Sequence, residues 1–407
     1  MTTHRDPSDL PGELADQLRA ENIIRTRTVD AAMRDTPRHL FLPGVPLEQA
    51  YADGPVYIKT DGSGTSIRAA SQPRIVAMML EQLDAQPGHR IMEAGAGTGY
   101  KAALLAAIVC DTERVVTIDL DADLVDGARK HLAAARVAHV QVVRGDGALG
   151  HSDGAPYDRS IATVGTWETP TAWLEQLAPD GRLVVPLRLR GAASRSIIFE
   201  RYDGGWRDAG SELAVFMPLR GTGDDARRLV ALTDEQDVTL QVQKDQDVDA
   251  AALARVLESQ RHEMWTGVLF APMVPYEWLD LLLACRLDNA IMRMNVKPQA
   301  IERGTVSPTF RWGAVATTCG ADLAYLTIRP APPAADGGKL YEVGVVGHGP
   351  SGKDLARHVA DETRVWDAEY RTRTVRFEIP DAPAQANPSA GHFVLPRPHY
   401  PITVAWR

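Results

Sequence analysis

IMEAGAGTGY (91–100) is the stretch that decides the fold. A short apolar segment, RIMEAG (90–95), runs into glycines at 95, 97 and 99 and then into the apolar run YKAALLAAIV (100–109). Strand, glycine turn and helix in that order expose backbone N–H groups and a positive helix end to a ligand, with no Cβ in the way. The rhythm repeats downstream. RVVTIDLD (114–121) predicts a second strand, LVDGARKHLAAA (124–135) a helix and HVQVVRGDG (139–147) a third strand. YDRSIATVG (157–165) follows as a fourth strand, TAWLEQL (171–177) as a helix and GRLVVPLRL (181–189) as a fifth strand. This alternation predicts a parallel sheet covered on both faces, a doubly wound α/β domain. Upstream, the apolar spacing of residues 10–35 reads as one helix, and TDGSGTSIRAASQP (60–73) as a Gly/Ser-rich loop. Pro73 suits the first turn of a helix over 74–83.

A glycine-rich turn alone does not separate ligand classes. Dinucleotide-binding turns space their glycines G-x-G-x-x-G, whereas here the pattern is G-x-G-x-G with Glu93 two residues ahead. That arrangement resembles motif I of the class I methyltransferases, which have a Rossmann-like sheet and use S-adenosyl-L-methionine. The resemblance implies that Glu93 faces the cationic part of the cofactor and that Gly95, Gly97 and Gly99 cradle it. Asp119 closes the second strand, where a carboxylate can accept both ribose hydroxyls; a solvated acid is the bland alternative. Asp146, in RGDGALG with Gly147, follows the third strand. It can take a hydrogen bond from the adenine amine or simply cap the next helix. In open α/β sheets such ligands bind outside the carboxyl ends of the strands.

The bulk numbers restrict the remaining possibilities. At roughly 150 residues per domain, 407 residues predict two or three domains. A formal charge of −9 with no long basic run argues against a nucleic-acid partner, whose phosphates ask for a basic patch. The longest apolar runs are too short to span a membrane, and the polar MTTHRDPSDLPGE start has no signal-peptide core. Cys110, Cys285 and Cys319 lie far apart, with no metal-ligand spacing. They read as buried structural thiols in a reducing compartment, so a cytoplasmic location and no bound metal are expected.

From Thr36 to Leu189 the chain resembles the protein L-isoaspartyl O-methyltransferase family. TPRHLFLP (36–43), AYADGPV (50–56), SQPRIVAMMLEQL (71–83), GDG (145–147) and GRLVVP (181–186) follow the family's order. The resemblance implies methyl transfer to a side carboxylate formed when aspartyl or asparaginyl residues rearrange. It implies Ser71 beside that carboxylate as an orienting hydroxyl; a helix cap is the compatible alternative. Around it, Gln72, Tyr51 and Asp53 shape or brace the acceptor pocket. The family usually runs Gly-x-Gly-Gln-Thr-Ile-Ser-x-Pro. Here Gly62 and Gly64 are separated from Ser71 by TSIRAA (65–70), which brings Ser66 and Arg68 to the acceptor side, the arginine as a carboxylate partner or a solvated cation. Trp167, after the fourth strand, contacts peptide or serves packing.

The chain continues well past the family's usual end. We read residues 1–222 as the catalytic domain, with a cofactor core at about 90–190, and 223–407 as a C-terminal α+β accessory domain. RGTGDD (220–225) reads as linker. Strands are predicted at 232–243 and 374–381, and helices at 249–260, 276–287 and 352–370. Long forms of this kind resemble actinobacterial relatives associated with ribosomally made peptides. That resemblance implies methylation of an ordinary aspartate in a precursor peptide, the ester then closing to an aspartimide that hydrolyses to isoaspartate. The alternatives are repair of isoaspartyl sites in proteins at large, or a non-catalytic scaffold that retains the cofactor fold.

Overall fold

The computed structural model describes residues 9–60, 66–216, 219, 227–381, 387 and 391–407, with backbone alone at 59–60 and 66–69. Helices α1 (Leu10–Ala20) and α2 (Arg27–Asp35) form where one helix was expected. The break is local: Asn22 turns left-handed (φ 58°), and the Thr26 hydroxyl restarts the helix by accepting the Val29 N–H. After α3 (Leu47–Tyr51), the expected loop is a hairpin of β1 (Val56–Thr60) and β2 (Ser66–Ala70). Next comes α4 (Pro73–Leu83), with proline in its first turn as predicted.

The doubly wound core follows: β3 (Ile91–Ala94), α5 (Tyr100–Val109), β4 (Val115–Asp119), α6 (Ala122–Ala134), β5 (Gln141–Arg144), β6 (Tyr157–Ala162), α7 (Thr171–Glu175) and β7 (Leu177–Arg190). Strand β3 is wholly buried, as a parallel strand covered on both faces must be. The chain runs outward from β3 to β4 and β5, then returns to lay β6 on the other side of β3. That reversal opens a crevice at the carboxyl end of β3. Beyond β7 the sheet turns antiparallel with β8 (Ala193–Tyr202) and β9 (Gly205–Leu213).

A second sheet of seven antiparallel strands comprises β10 (Arg227–Ala231), β11 (Val238–Gln243), β12 (His262–Phe270), β13 (Met292–Val296), β14 (Gly313–Cys319), β15 (Asp322–Ala331) and β16 (Leu340–His348). Its helices are α8 (Glu277–Arg286), α9 (Pro298–Glu302) and α10 (Gly352–Val365), the last extended by a π-helical turn through Tyr370. Residues 249–260 do not form the expected helix. Arg255 adopts φ 61°, and turns with a short 3-10 segment bury Leu253, Val256 and Leu257 instead.

The sequence split at 222/223 separates strands that share one sheet. Strands β17 (Val375–Pro380), β18 (His392–Leu395) and β19 (Ile402–Trp406) return to the first sheet, β17 pairing with β9. The first sheet therefore has ten strands, ordered β5-β4-β3-β6-β7-β8-β9-β17-β19-β18. Helix α8 packs on β7 and β8, and one apolar core joins Leu183 and Ile197 to Leu282, Trp366, Phe377 and Trp406. The expected linker at 220–225 lies outside the described residues. Cys110 and Cys319 are exposed rather than buried; Cys285 is half-buried, and burial pushes its thiol up to about 12. Among the described residues no helix is long and apolar enough to cross a membrane, and no cluster of His, Cys, Asp and Glu could hold a metal.

Candidate active site

At the carboxyl end of β3 lies a cavity of about 510 Å³. Its cofactor side is built by the turn from β3 into α5. The N–H groups of Gly95 and Ala96 donate to the Ile118 carbonyl, binding the turn to β4. Gly95 holds φ +104°, and a Cβ there would lie 2.4 Å from Thr163 Oγ1. Gly97 holds φ +51°, and a Cβ there would meet nothing within 4 Å. One glycine thus allows close packing and the other keeps the cavity wall bare. The Gly97 N–H donates to Asp119 Oδ2 at 3.0 Å, so the carboxylate at the end of β4 is aimed into the crevice with acceptor capacity to spare. Asp146 accepts the Ala148 N–H at 2.9 Å and caps a short 3-10 turn; Gly147 is the residue of that pair that lines the cavity. Trp173 holds this turn in place by donating to the Gly147 carbonyl at 2.7 Å.

Glu93 is fully buried in the cavity wall. Its Oε2 accepts from Thr117 Oγ1 at 2.6 Å, whereas Oε1 has no hydrogen-bond partner among the described residues. An orphaned buried carboxylate oxygen is costly unless a cation meets it. Burial pushes Glu93 up to about 7 and lowers Lys101, beside it on α5, to about 8; each holds the other's charge against that push.

The acceptor side is formed by Ser71, Gln72, Arg38 and the hairpin residues Tyr57 and Ile58. Ser71 sits between β2 and α4. Its carbonyl accepts from Arg38 Nη2 at 2.8 Å, while its hydroxyl makes no hydrogen bond among the described residues and does not cap α4. Asp53 takes over the capping, accepting the Arg74 N–H at 3.0 Å and pairing with its Nε at 2.9 Å. Gln72 Nε2 donates to the Asp53 carbonyl at 2.9 Å. Tyr51 is buried behind the wall against His39 Nδ1 at 2.9 Å. Tyr51 and Asp53 brace the site without lining it. The side chains of Ser66 and Arg68 lie outside the described residues. Trp167 does not line the cavity; the Arg397 guanidinium lies 4.7 Å and Lys244 Nζ 4.5 Å from the centre of its ring.

The family model for protein-L-isoaspartate(D-aspartate) O-methyltransferase matches residues 11–222, just over half of the chain. The chain belongs to this family. It is 38% identical over 209 residues to a protein-L-isoaspartate O-methyltransferase of Methanopyrus kandleri, covering 51% of this chain and 90% of the relative. To one of Methanoregula boonei it is 40% identical over 221 residues, covering 54% and 97%. A solved protein-L-isoaspartate O-methyltransferase structure aligns over 91% of this chain and 96% of its own, at 20% identity and a TM-score of 0.48.

The protein is therefore an S-adenosylmethionine-dependent methyltransferase of the protein-L-isoaspartate O-methyltransferase family. The cavity fits that cofactor on its own terms. Glu93 Oε1 wants a cation, Asp119 has free lone pairs, and Gly97 leaves the wall bare. Lys101, Arg38 and Arg293 are among the lining residues that escaped the sequence reading. Lys101 carried a signal, being the lone charge in YKAALLAAIV; Arg38 and Arg293 carried none, because only the folded chain brings them to the cavity.

Cofactor affinity should depend on pH. Glu93, with its folded value near 7, is protonated below that and cannot meet a cation, so affinity should fall roughly tenfold per unit below pH 7. Lys101 acts in the same direction, losing a competing charge above about 8. Calorimetry between pH 5.5 and 8.5, values chosen to bracket about 7, should show this slope, and Glu93→Gln should flatten it. A wild-type affinity independent of pH would refute the assignment.

Proposed function

We propose that the protein methylates an aspartyl-derived carboxylate in a peptide chain. The observation that carries this reading is Ser71, whose hydroxyl has no hydrogen bond among the described residues, beside buried Arg38 in the wall of the cavity that Glu93 and Asp119 also line. S-adenosylmethionine, when bound, supplies a methyl group on a positively charged sulfur. The chain's own task is then placement. A carboxylate oxygen forms the new C–O bond as the C–S bond breaks, and the two opposite charges vanish together. Nothing needs a strong base, so alignment and exclusion of water account for most of the rate. Ser71 donates a hydrogen bond that orients the acceptor, and Arg38, locked by the Ala50 and Ser71 carbonyls, supplies positive potential behind it.

A narrower reading is that the acceptor is one aspartate of a ribosomally made precursor peptide. It is favoured by the chain beyond residue 222, which contributes Arg227 and Arg293 to the cavity. In that case the next backbone nitrogen attacks the ester and releases methanol, with the amide proton leaving on methoxide, to close an aspartimide. Intact mass of the precursor, followed with enzyme and cofactor, tests it. A gain of one methyl group, then a product one water lighter than the starting peptide, is expected. Methylation of isoaspartyl peptides irrespective of sequence, with the precursor untouched, would favour the isoaspartate methylation for which the relatives are named.

Ser71→Ala should lower single-turnover methyl transfer about tenfold or more, the loss of one hydrogen bond to a charged group, while leaving cofactor affinity nearly unchanged. Wild-type turnover in this variant would reduce Ser71 to a spacer.

A further inference from the structure

Strand β13 belongs to the second sheet, yet Arg293 on it lines the same cavity as Ser71 and Glu93. Alternation along the strand explains how. Met292 and Met294 point into the apolar core of the second sheet, so Arg293 points the opposite way and is exposed. Register places Arg293 opposite Gln241 of β11 and Val315 of β14, and Gln241 opposite Leu229 of β10. Leu229 is 61% exposed, so the row is open to solvent on the β10 side of Arg293.

Arg293 differs from other arginines of the chain in its partners. Arg38 is locked by two carbonyls, Arg195 is paired with Glu277 at 2.9 Å, and Arg188 with Asp245 at 2.9 Å. Among the described residues Arg293 has no hydrogen bond and no ion pair. Asp280 of α8, half-buried, is near enough that its charge and that of Arg293 attract each other. An exposed guanidinium at a cavity wall, with no hydrogen bond or ion pair among the described residues, is a binding site for a planar anion.

We propose that Arg293 binds a carboxylate of the acceptor peptide other than the one that is methylated, so that the enzyme selects acidic peptides. This rests on the reading of the cavity as a peptide carboxyl-methylation site. The carboxylate is that of an acidic side chain flanking the acceptor, or the terminal carboxylate of the peptide. The whole chain carries a formal charge of −9, so a cation at the mouth also offsets the repulsion an acidic substrate would meet.

The test uses the full-length protein and short amidated isoaspartyl peptides with Glu, Gln or Lys at each flanking position in turn. The Gln peptide is also made as the free acid. Peptide affinity is measured calorimetrically with S-adenosylhomocysteine present, and methyl transfer is measured separately. At one or more positions Glu should bind roughly tenfold tighter than Gln; tight binding of the free acid alone would assign the site to a terminal carboxylate. Arg293→Gln should erase the preference, and Arg293→Glu should turn it toward Lys. Equal affinities in the wild type, a preference that survives Arg293→Gln, loss of S-adenosylhomocysteine affinity in that variant, or no peptide binding at all would overturn the proposal. Charge-selective binding without methyl transfer would leave the site standing and sink the carboxyl-methylation reading. Transfer at equal kcat/KM to every peptide, with equal affinities, would do the reverse.

Discussion

Cutting the chain at residue 226 is expected to give an aggregating fragment. Relatives matched over 90% and 97% of their own length have little chain left for an equivalent of the second sheet, so a catalytic unit ending near residue 222 is feasible in them. In this chain the corresponding surface is shaped for what covers it. Removing 226–407 takes β17 from the edge of β9 and α8 from the face of β7 and β8. It also strips Arg188 and Arg195 of Asp245 and Glu277. An open strand edge beside a bared apolar face invites association between chains. A milder version keeps the chain whole. Trp406 is buried edge-on against Tyr370 and Phe393, and Trp406→Ala should cost about 3–5 kcal/mol in thermal or denaturant unfolding. A truncated protein that is monodisperse and binds S-adenosylmethionine like the full chain would show the returning strands to be dispensable.

The second large effect is expected at Glu93. Glu93→Ala removes the acid that faces the bound cation and strands Lys101 in a buried site. Affinity should fall by about 2–3 kcal/mol, roughly 30- to 150-fold. Stability should fall by about 3 kcal/mol, the usual result of breaking one side of a buried charge pair. The stability loss has a definite pH sign. The folded-state value of Lys101 lies below its ordinary 10.5, so the folded protein loses stability as pH falls from there through about 8. Without Glu93 that window widens downward. The pair Glu93→Leu with Lys101→Met separates the two effects: stability should recover, because an apolar pair replaces an ionic one, while cofactor binding should not. Recovery of both would mean that Glu93 serves the fold alone.

The core of the fold was legible because several local signals coincide in IMEAGAGTGY: an apolar strand, glycines with open φ and an apolar helix. The parallel strands read well for the same reason, since burial on both faces makes them continuous apolar runs. Glu93, Gly95, Gly97, Asp119, Gly147, Ser71 and Gln72 all line one cavity, whereas Gly99, expected with them, faces Ala128 and Leu132 of α6 instead. The rest depends on partners far away in sequence. ASRSIIFERY (193–202) is β8, but its arginine and glutamate break the strand pattern, because antiparallel neighbours and the second sheet supply their partners. TVRFEIPD was read as a strand, yet nothing local says that it pairs with β9. The 249–260 segment shows the opposite failure: its apolar spacing is helical, and a left-handed Arg255 satisfies the same burial with turns.

The return of β17 to β9 also sets an order of events during synthesis. The Phe377 N–H donates to Asp208 across 169 residues, so β9 leaves the ribosome long before its partner exists. At roughly 5–20 residues per second that interval lasts about ten seconds or more, during which the outer edge of β9 must remain unpaired without joining another nascent chain. A closing contact of such long range also slows folding, because the loop must be ordered before the pairing rewards it. The cofactor turn has no such delay: the strands β3, β4 and β6 around it are made within one short stretch, and a bound cofactor would stabilise that part first. Expression yield should therefore respond to cofactor supply and growth temperature more strongly than in relatives that end near residue 222.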